Sequence, residues 1–247
     1  MKHNYLTILL LIRSFAIADI PDITLSWDTF FIIEIESITD FFLSDSVCPQ
    51  NDAITPLIDE AYLICSAKNT SPDSEIHISK FHQNGQEIWN KNISVNSAGN
   101  LEINSVIELE NNSILLTGTS NGLNSRGVNV CIDSYGDELW RRIDWYLDFT
   151  SFQNAFQKPD GNCIISGWTA SEDEETFGHG EMNVLLVEIN ANGELIAGIE
   201  IQNSTGSQQP LFTFSINDKI IIIGKNISPE SDETEYFLGT FQLPYIR

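Results

Sequence analysis

The residues best suited to chemistry lie in two acidic stretches. Between Trp168 and Met182 stand Glu172, Asp173, Glu174, Glu175 and Glu181 with no lysine or arginine among them, and between Lys225 and Glu235 stand Glu230, Asp232 and Glu233. Carboxylates converging from two such loops offer the hard oxygen ligands that calcium takes. As an oppositely placed pair they offer the acid and base of glycoside hydrolysis. Solvated, self-repelling loop tips have the same composition, and no D-x-D-x-D-G calcium loop occurs. Aromatic residues lie close by in sequence: Trp145 and Tyr146 in one connection, Trp168 and Phe177 in another. Flat rings beside carboxylates suit the faces and hydroxyls of sugars. The expected ligand-binding set is therefore Glu172, Asp173, Glu174, Glu175, Glu181, Asp232, Glu233, Trp145, Tyr146 and Trp168, with calcium the one cofactor these residues suggest. No catalytic residue is expected. His77 and His82 are five apart in one extended run, so they face opposite ways and cannot share a metal. No nucleophile elbow, phosphate loop or nucleotide fingerprint is present.

Charge narrows the partners. The 247 residues carry 35 acidic and 12 basic side chains, a formal net charge of −23. Phosphate backbones and anionic membrane surfaces need the opposite sign, so neither nucleic acid nor such a surface is an expected partner. The first eighteen residues have the form of a signal peptide: Lys2 and His3, the apolar run from Leu6 to Ile12, then Ala16-Ile17-Ala18. Arg13 departs from that form. Beyond them no apolar run approaches the ~20 residues of a spanning helix, so no membrane insertion is expected. The reading is a signal peptide over 1–18 and a single domain over 19–247, secreted, periplasmic or on the cell surface.

The elements that must carry the acidic loops are legible as a repeat. Ala53 to Ser66, Ser105 to Gly118, Asn154 to Gly167 and Leu211 to Gly224 align without gaps, and their final residues are 52, 49 and 57 positions apart. Each holds a half-apolar run, a polar turn and a second, more uniformly apolar run. A third run follows at Ile76 to Phe81, Val128 to Ile132, Val184 to Ile189 and Phe237 to Phe241. Hairpins at Asn84-Gly85, Tyr135-Gly136 and Asn192-Gly193 then lead into a fourth strand ending at Trp89, Trp140 or Ala197. Four antiparallel strands per repeat make a propeller blade. The expected fold is all-β, a β-propeller of about four four-stranded antiparallel blades, with five the alternative. Because an open ring exposes sheet edges, a strand from residues 23–43 is expected to close it.

The cysteines read mainly as packing residues. Cys163 shares its repeat slot with Tyr62, Ile114 and Ile220, a core position, whereas Cys131 shares its slot with Lys80 and Glu188 and is expected to face solvent. Cys48 and Cys65 are the remaining candidates for a disulfide. No CxxC occurs, which removes zinc-ribbon and thioredoxin readings.

The stretch KPDGNCIISGWTASEDEETFGHGEMNVLLVEINANGELIAG resembles the roughly fifty-residue repeats of bacterial extracellular β-propeller proteins, with their D-G turn, G-x-T strand end and N-G-x-x-x-W hairpin. The resemblance spans about residues 53 to 241 and implies a fold alone. In a four-stranded meander the first and third turns share one end of the sheet, so every long connection falls at the other. Variable loops on a rigid scaffold are where binding resides. The function expected from sequence is an exported, non-enzymatic propeller that binds a protein or polysaccharide partner through its acidic loop face. The alternatives are a glycan hydrolase with carboxylates near the channel, for which the first strands offer only Glu102 and Glu108, and a fragment of a longer array without independent activity.

Overall fold

A computed structural model describes residues 53–70, 73–95, 99–121, 125–144, 149–173, 178–179, 181–201, 207–216, 219–227 and 234–242. Four antiparallel sheets follow one another along the chain. The first contains β1 (Ala53–Pro56), β2 (Ala61–Thr70), β3 (Asp73–His82) and β4 (Glu87–Val95). The second contains β5 (Asn100–Glu108), β6 (Ile114–Asn121), β7 (Ser125–Ile132) and β8 (Glu138–Asp144). The third is built from β9 (Phe149–Gln157), β10 (Cys163–Ala170), β13 (Asn183–Ile189) and β14 (Leu195–Ile201), and a two-stranded ribbon, β11 (Glu172–Asp173) with β12 (Gly178–His179), is inserted in it. The fourth contains β15 (Ser207–Ile216), β16 (Lys219–Ile227) and β17 (Thr234–Gln242). Each sheet is a meander in which sequence neighbours pair. The fold is all-β and β-propeller-like, as the repeat predicted.

The uniformly apolar second runs are explained by burial on both faces. In β6, Ile114 and Leu116 pack with Leu63, Cys65, Ile76 and Ile78 of the first sheet, while Leu115 turns to Phe152, Ile165 and Leu185 of the third. In β10 and β13, Ile165 and Leu185 face the second sheet, and Ile164 and Leu186 face Ile220 and Ile222 of the fourth. Successive residues of one strand thus serve two different cores. The first strands pack side by side, β1 with β5, β5 with β9 and β9 with β15.

In the second, third and fourth sheets a small residue ends the second run because the neighbouring first strand bulges there. The registers shift between Ile103 and Ser105, at Phe152 to Asn154, and between Pro210 and Phe212, opposite Gly118, Gly167 and Gly224. A bulge pushes backbone toward its partner strand. A methyl group at Gly118 would lie 1.9 Å from the Glu102 carbonyl oxygen, and one at Gly167 would lie 1.8 Å from that of Ser151.

Several expectations are corrected. Trp89 and Trp140 stand near the beginning of β4 and β8, not at their ends. Not every connection at the loop-bearing end is long: between the second and third runs of the first two repeats, where the meander reading places long loops, β2 runs to Thr70, β3 starts at Asp73, β6 runs to Asn121 and β7 starts at Ser125. Their polar residues remain in the ladder because its hydrogen bonds come from the backbone and side chains such as Ser74, Thr119 and Ser120 are buried in it. Cys131 is 1% exposed and turned into the sheet interface. Closure of the ring by residues 23–43 lies outside the described residues, as does Cys48; Cys65 is buried. Among the described residues the first and fourth sheets are not packed together. The outward face of the fourth sheet accordingly leaves Phe212, Phe214 and Leu238 exposed.

Candidate functional site

The two ends of the sheets differ in how their polar groups are used. At the tight-turn end, Asp133 Oδ1 accepts the amides of Tyr135 and Asp137, and Asn190 Oδ1 accepts those of Asn192 and Glu194, all at 2.9 Å. Asn111 and Asp160 accept the amides of Ser113 and Asn162 in the same way. Ion pairs complete this end: Lys80 with Asp59 (2.6 Å), Lys91 with Asp137 (2.8 Å), Arg141 with Glu138, and Lys158 with both Asp160 (2.7 Å) and Glu188 (2.8 Å). The hydrogen bond from Lys158 holds the Asp160 carboxyl below its ordinary pKa. Burial opposes ionisation of Asp59, but the bond and charge of Lys80 outweigh it and lower that pKa too. Burial likewise works against the charge of Lys158, and its two carboxylate partners more than offset this, raising its pKa. These carboxylates are committed to holding turns.

The opposite end carries the long excursion of the third sheet, and both of its stems are fixed. On the entering side Thr169 is fully buried and its hydroxyl donates to the Phe149 carbonyl at 3.0 Å. On the returning side Met182 is 6% exposed, its amide donates to Ser207 Oγ at 3.2 Å and its carbonyl accepts the Gln208 amide at 2.6 Å. Between the stems the ribbon sets Glu172 opposite His179 and Asp173 opposite Gly178. Glu181 is exposed just before Met182. Trp168 belongs to β10, half-buried in register with Ser151 and Val184, so it is part of the stem and not of the loop. Glu174, Glu175, Asp232, Glu233, Trp145 and Tyr146 lie outside the described residues. The structure therefore brings Glu172, Asp173 and Glu181 into one supported excursion. Among the described residues no three His, Cys, Asp or Glu side chains converge to hold a metal.

Of the two first-strand acids, Glu108 has a structural partner. Glu108 Oε2 accepts the Ile58 amide at 2.5 Å and ties the first sheet to the second. Glu102 is half-buried, and its carbonyl is the oxygen pressed against Gly118. A polar chain between the first strands was not anticipated. Asn104 Nδ2 donates to the Phe152 carbonyl (2.7 Å) and to Thr119 Oγ1 (3.3 Å), Thr119 and Ser151 share a hydrogen bond of 2.8 Å, and Gln153 Nε2 donates to Ser151 Oγ at 2.6 Å. Asn104 and Gln153 are the bulge residues of β5 and β9. The available signal was the break in alternation at Ile103-Asn104-Ser105.

No family model matches this chain, and no curated protein matches it. Among solved structures it aligns with an ACO/RPE65 chimera at 10% identity and a TM-score of 0.46, and with cobalt-substituted Synechocystis ACO at 11% and 0.45. A point mutant of Synechocystis apocarotenoid oxygenase aligns at 10% and 0.44. In each case 78% of this chain is covered, and the chain spans about half the length of the other structure. The expectation of a non-enzymatic scaffold for a protein or polysaccharide is corrected at this point, because the structures with which the chain aligns are oxygenases. Neither the metal nor the substrate of those enzymes passes to this chain through a likeness of that size.

Proposed function

We propose that the loop-bearing end of the scaffold takes a hard divalent cation, calcium, with Glu172, Asp173 and Glu181 as candidate ligands. The observation that carries this reading is the excursion from Trp168 to Met182: five carboxylates without one lysine or arginine, on two fixed stems. At the tight-turn end Asp59, Asp137, Glu138, Asp160 and Glu188 are each paired with lysine or arginine, so the contrast is one of position and not only of overall charge. Carboxylates that share a loop repel one another, and a bound cation with oxygen ligands relieves that repulsion.

A thermal melt tests this. Calcium at about a hundred times its dissociation constant stabilises by about 2.7 kcal/mol, which raises the melting temperature by roughly 5 °C or more. Magnesium at matched ionic strength should give less, since it demands a tighter octahedral shell. Combined Glu172→Gln, Asp173→Asn and Glu181→Gln substitutions should remove the calcium shift, and Asp137→Asn at the other end should leave it intact. Equal melts with and without calcium would end the proposal.

A further inference from the structure

The sheets are interlocked by tryptophan in a directional way, and the series stops at the third sheet. Trp89 of the first sheet donates its Nε1–H to the Ser134 carbonyl of the second at 3.2 Å, and its ring lies 2.8 Å from where a Cβ on Gly136 would be. Trp140 of the second sheet donates to the Ala191 carbonyl of the third at 2.9 Å, with its ring 2.6 Å from the corresponding point on Gly193. In the third sheet the same slot holds alanine: Ala197 pairs with Glu188 as Trp89 pairs with Lys80 and Trp140 with Cys131. Two hydroxyls weaken the seam that this slot would have fastened. Ile164, Val184 and Leu186 of the third sheet pack there with Ile220 and Ile222 of the fourth. Ser166, two residues on from Ile164 in β10, and Thr213, the register partner of Ile222, turn into that core and are 0% and 4% exposed. Neither hydroxyl has a hydrogen-bond partner among the described residues. At the seam between the second and third sheets the corresponding residues are Thr117 and Ala155, and the Thr117 hydroxyl donates to Asn129 Oδ1 at 3.0 Å. A buried hydroxyl without a partner loses its hydration for nothing, which disfavours the docked state.

We infer that the fourth sheet opens from the third as a unit and, in opening, frees the returning stem of the acidic excursion. Three hydrogen bonds tie that stem to the first strand of the fourth sheet. The Met182 amide donates to Ser207 Oγ at 3.2 Å, the Gln208 amide donates to the Met182 carbonyl at 2.6 Å, and Gln209 Nε2 donates to Met182 Sδ at 3.0 Å. The stem loses all three when β15 leaves. Phe212, Phe214 and Leu238 are already exposed on the outward face of the fourth sheet. Once its inner face is uncovered as well, no buried face remains to hold β15, β16 and β17 together, so they lose protection in one step. A ligand of the excursion, calcium in the reading proposed above, therefore favours the docked sheet, and the docked sheet favours the ligand to the same extent. That linkage rests on the cation reading, whereas the opening itself does not.

Native-state hydrogen exchange on the full chain, in EDTA and at rising urea below the unfolding transition, decides the opening apart from the cation reading. The amides of Gln208 and residues 220–224 should converge on one opening, more frequent than the opening that exposes residues 114–117 of β6. Ser166→Ala with Thr213→Val removes both orphaned hydroxyls and should slow the fourth-sheet set by roughly fivefold or more. Ile78→Val, in the core between the first and second sheets, should speed residues 114–117 by roughly fivefold and leave the fourth-sheet set unchanged, because the docked and open states both contain that core. Should the double variant fail to fold, Thr213→Val alone should slow the set by roughly threefold. A fourth-sheet set that exchanges no faster than residues 114–117 overturns the inference. So does a Gln208 amide, whose acceptor is Met182, that does not move with residues 220–224, or a set that whichever hydroxyl variant folds leaves unchanged.

Discussion

A methyl group on Gly167 would sit 1.8 Å from the Ser151 carbonyl oxygen, whereas one on Gly161 would meet nothing within 4 Å. The two glycines therefore serve different needs. Gly161 is there for its φ of 87° and Gly167 for close approach of a bulged strand. Gly167→Ala is expected to cost about 3 kcal/mol, because backbone and not a flexible side chain must move. Gly161→Ala should cost only about 1 kcal/mol, the penalty of left-handed backbone. Urea midpoints of the two variants check the order. Asp160 yields a pH prediction. Its folded pKa is depressed by Lys158, so its contribution is complete above the unfolded value of about 3.9 and is lost as pH falls through the lower folded value. Asp160→Asn should flatten the fall in stability below about pH 4 relative to the parent, seen in melts across that range. At this scale the sequence was uneven. Small residues at fixed spacing were visible, but the bulges that require them were not, because a bulge is a property of two strands. Cys131 misled because its slot holds Lys80 in one repeat and Glu188 in another. Lys80 is itself 6% exposed, with its ammonium brought out to Asp59, so the slot was never a surface one. Burial also pushes the Cys163 thiol up to about 11, with Cys131 close enough to contribute, which fits a packing role for both.

At the scale of the element, each sheet depends on its neighbours. Leu115 and Leu116 are adjacent in sequence yet belong to different cores, so a middle strand cannot bury its side chains without a sheet on either side. The tryptophan caps add a second link of the same kind. Trp140→Ala should destabilise by about 2 kcal/mol, less than for a fully buried tryptophan, and should expose the 190–194 hairpin to exchange before the rest of the third sheet. Uniform loss of protection over the third sheet would contradict this. The hairpins, second strands and third strands were legible because turn residues and apolar periodicity are local signals. The lengths of β2, β3, β6 and β7 were not, since buried Ser and Thr at their loop ends are held by neighbouring sheets.

For the whole molecule, the sheets form a scaffold with one consolidated end and one end that carries the acidic excursion. The position of that excursion was legible from turn types alone. Its stems were not, because Thr169 and Met182 are held by Phe149 and Ser207 on the flanking first strands. Terbium luminescence tests the proposed cation site most directly. Terbium(III) takes the oxygen ligands of calcium, and an indole close to it sensitises its emission. Trp168 stands at the stem of the excursion. A cation site on the excursion gives sensitised emission that calcium displaces, that Trp168→Phe removes and that Trp140→Phe leaves unchanged. Emission that is absent, or that survives Trp168→Phe together with Glu172→Gln and Asp173→Asn, would contradict it.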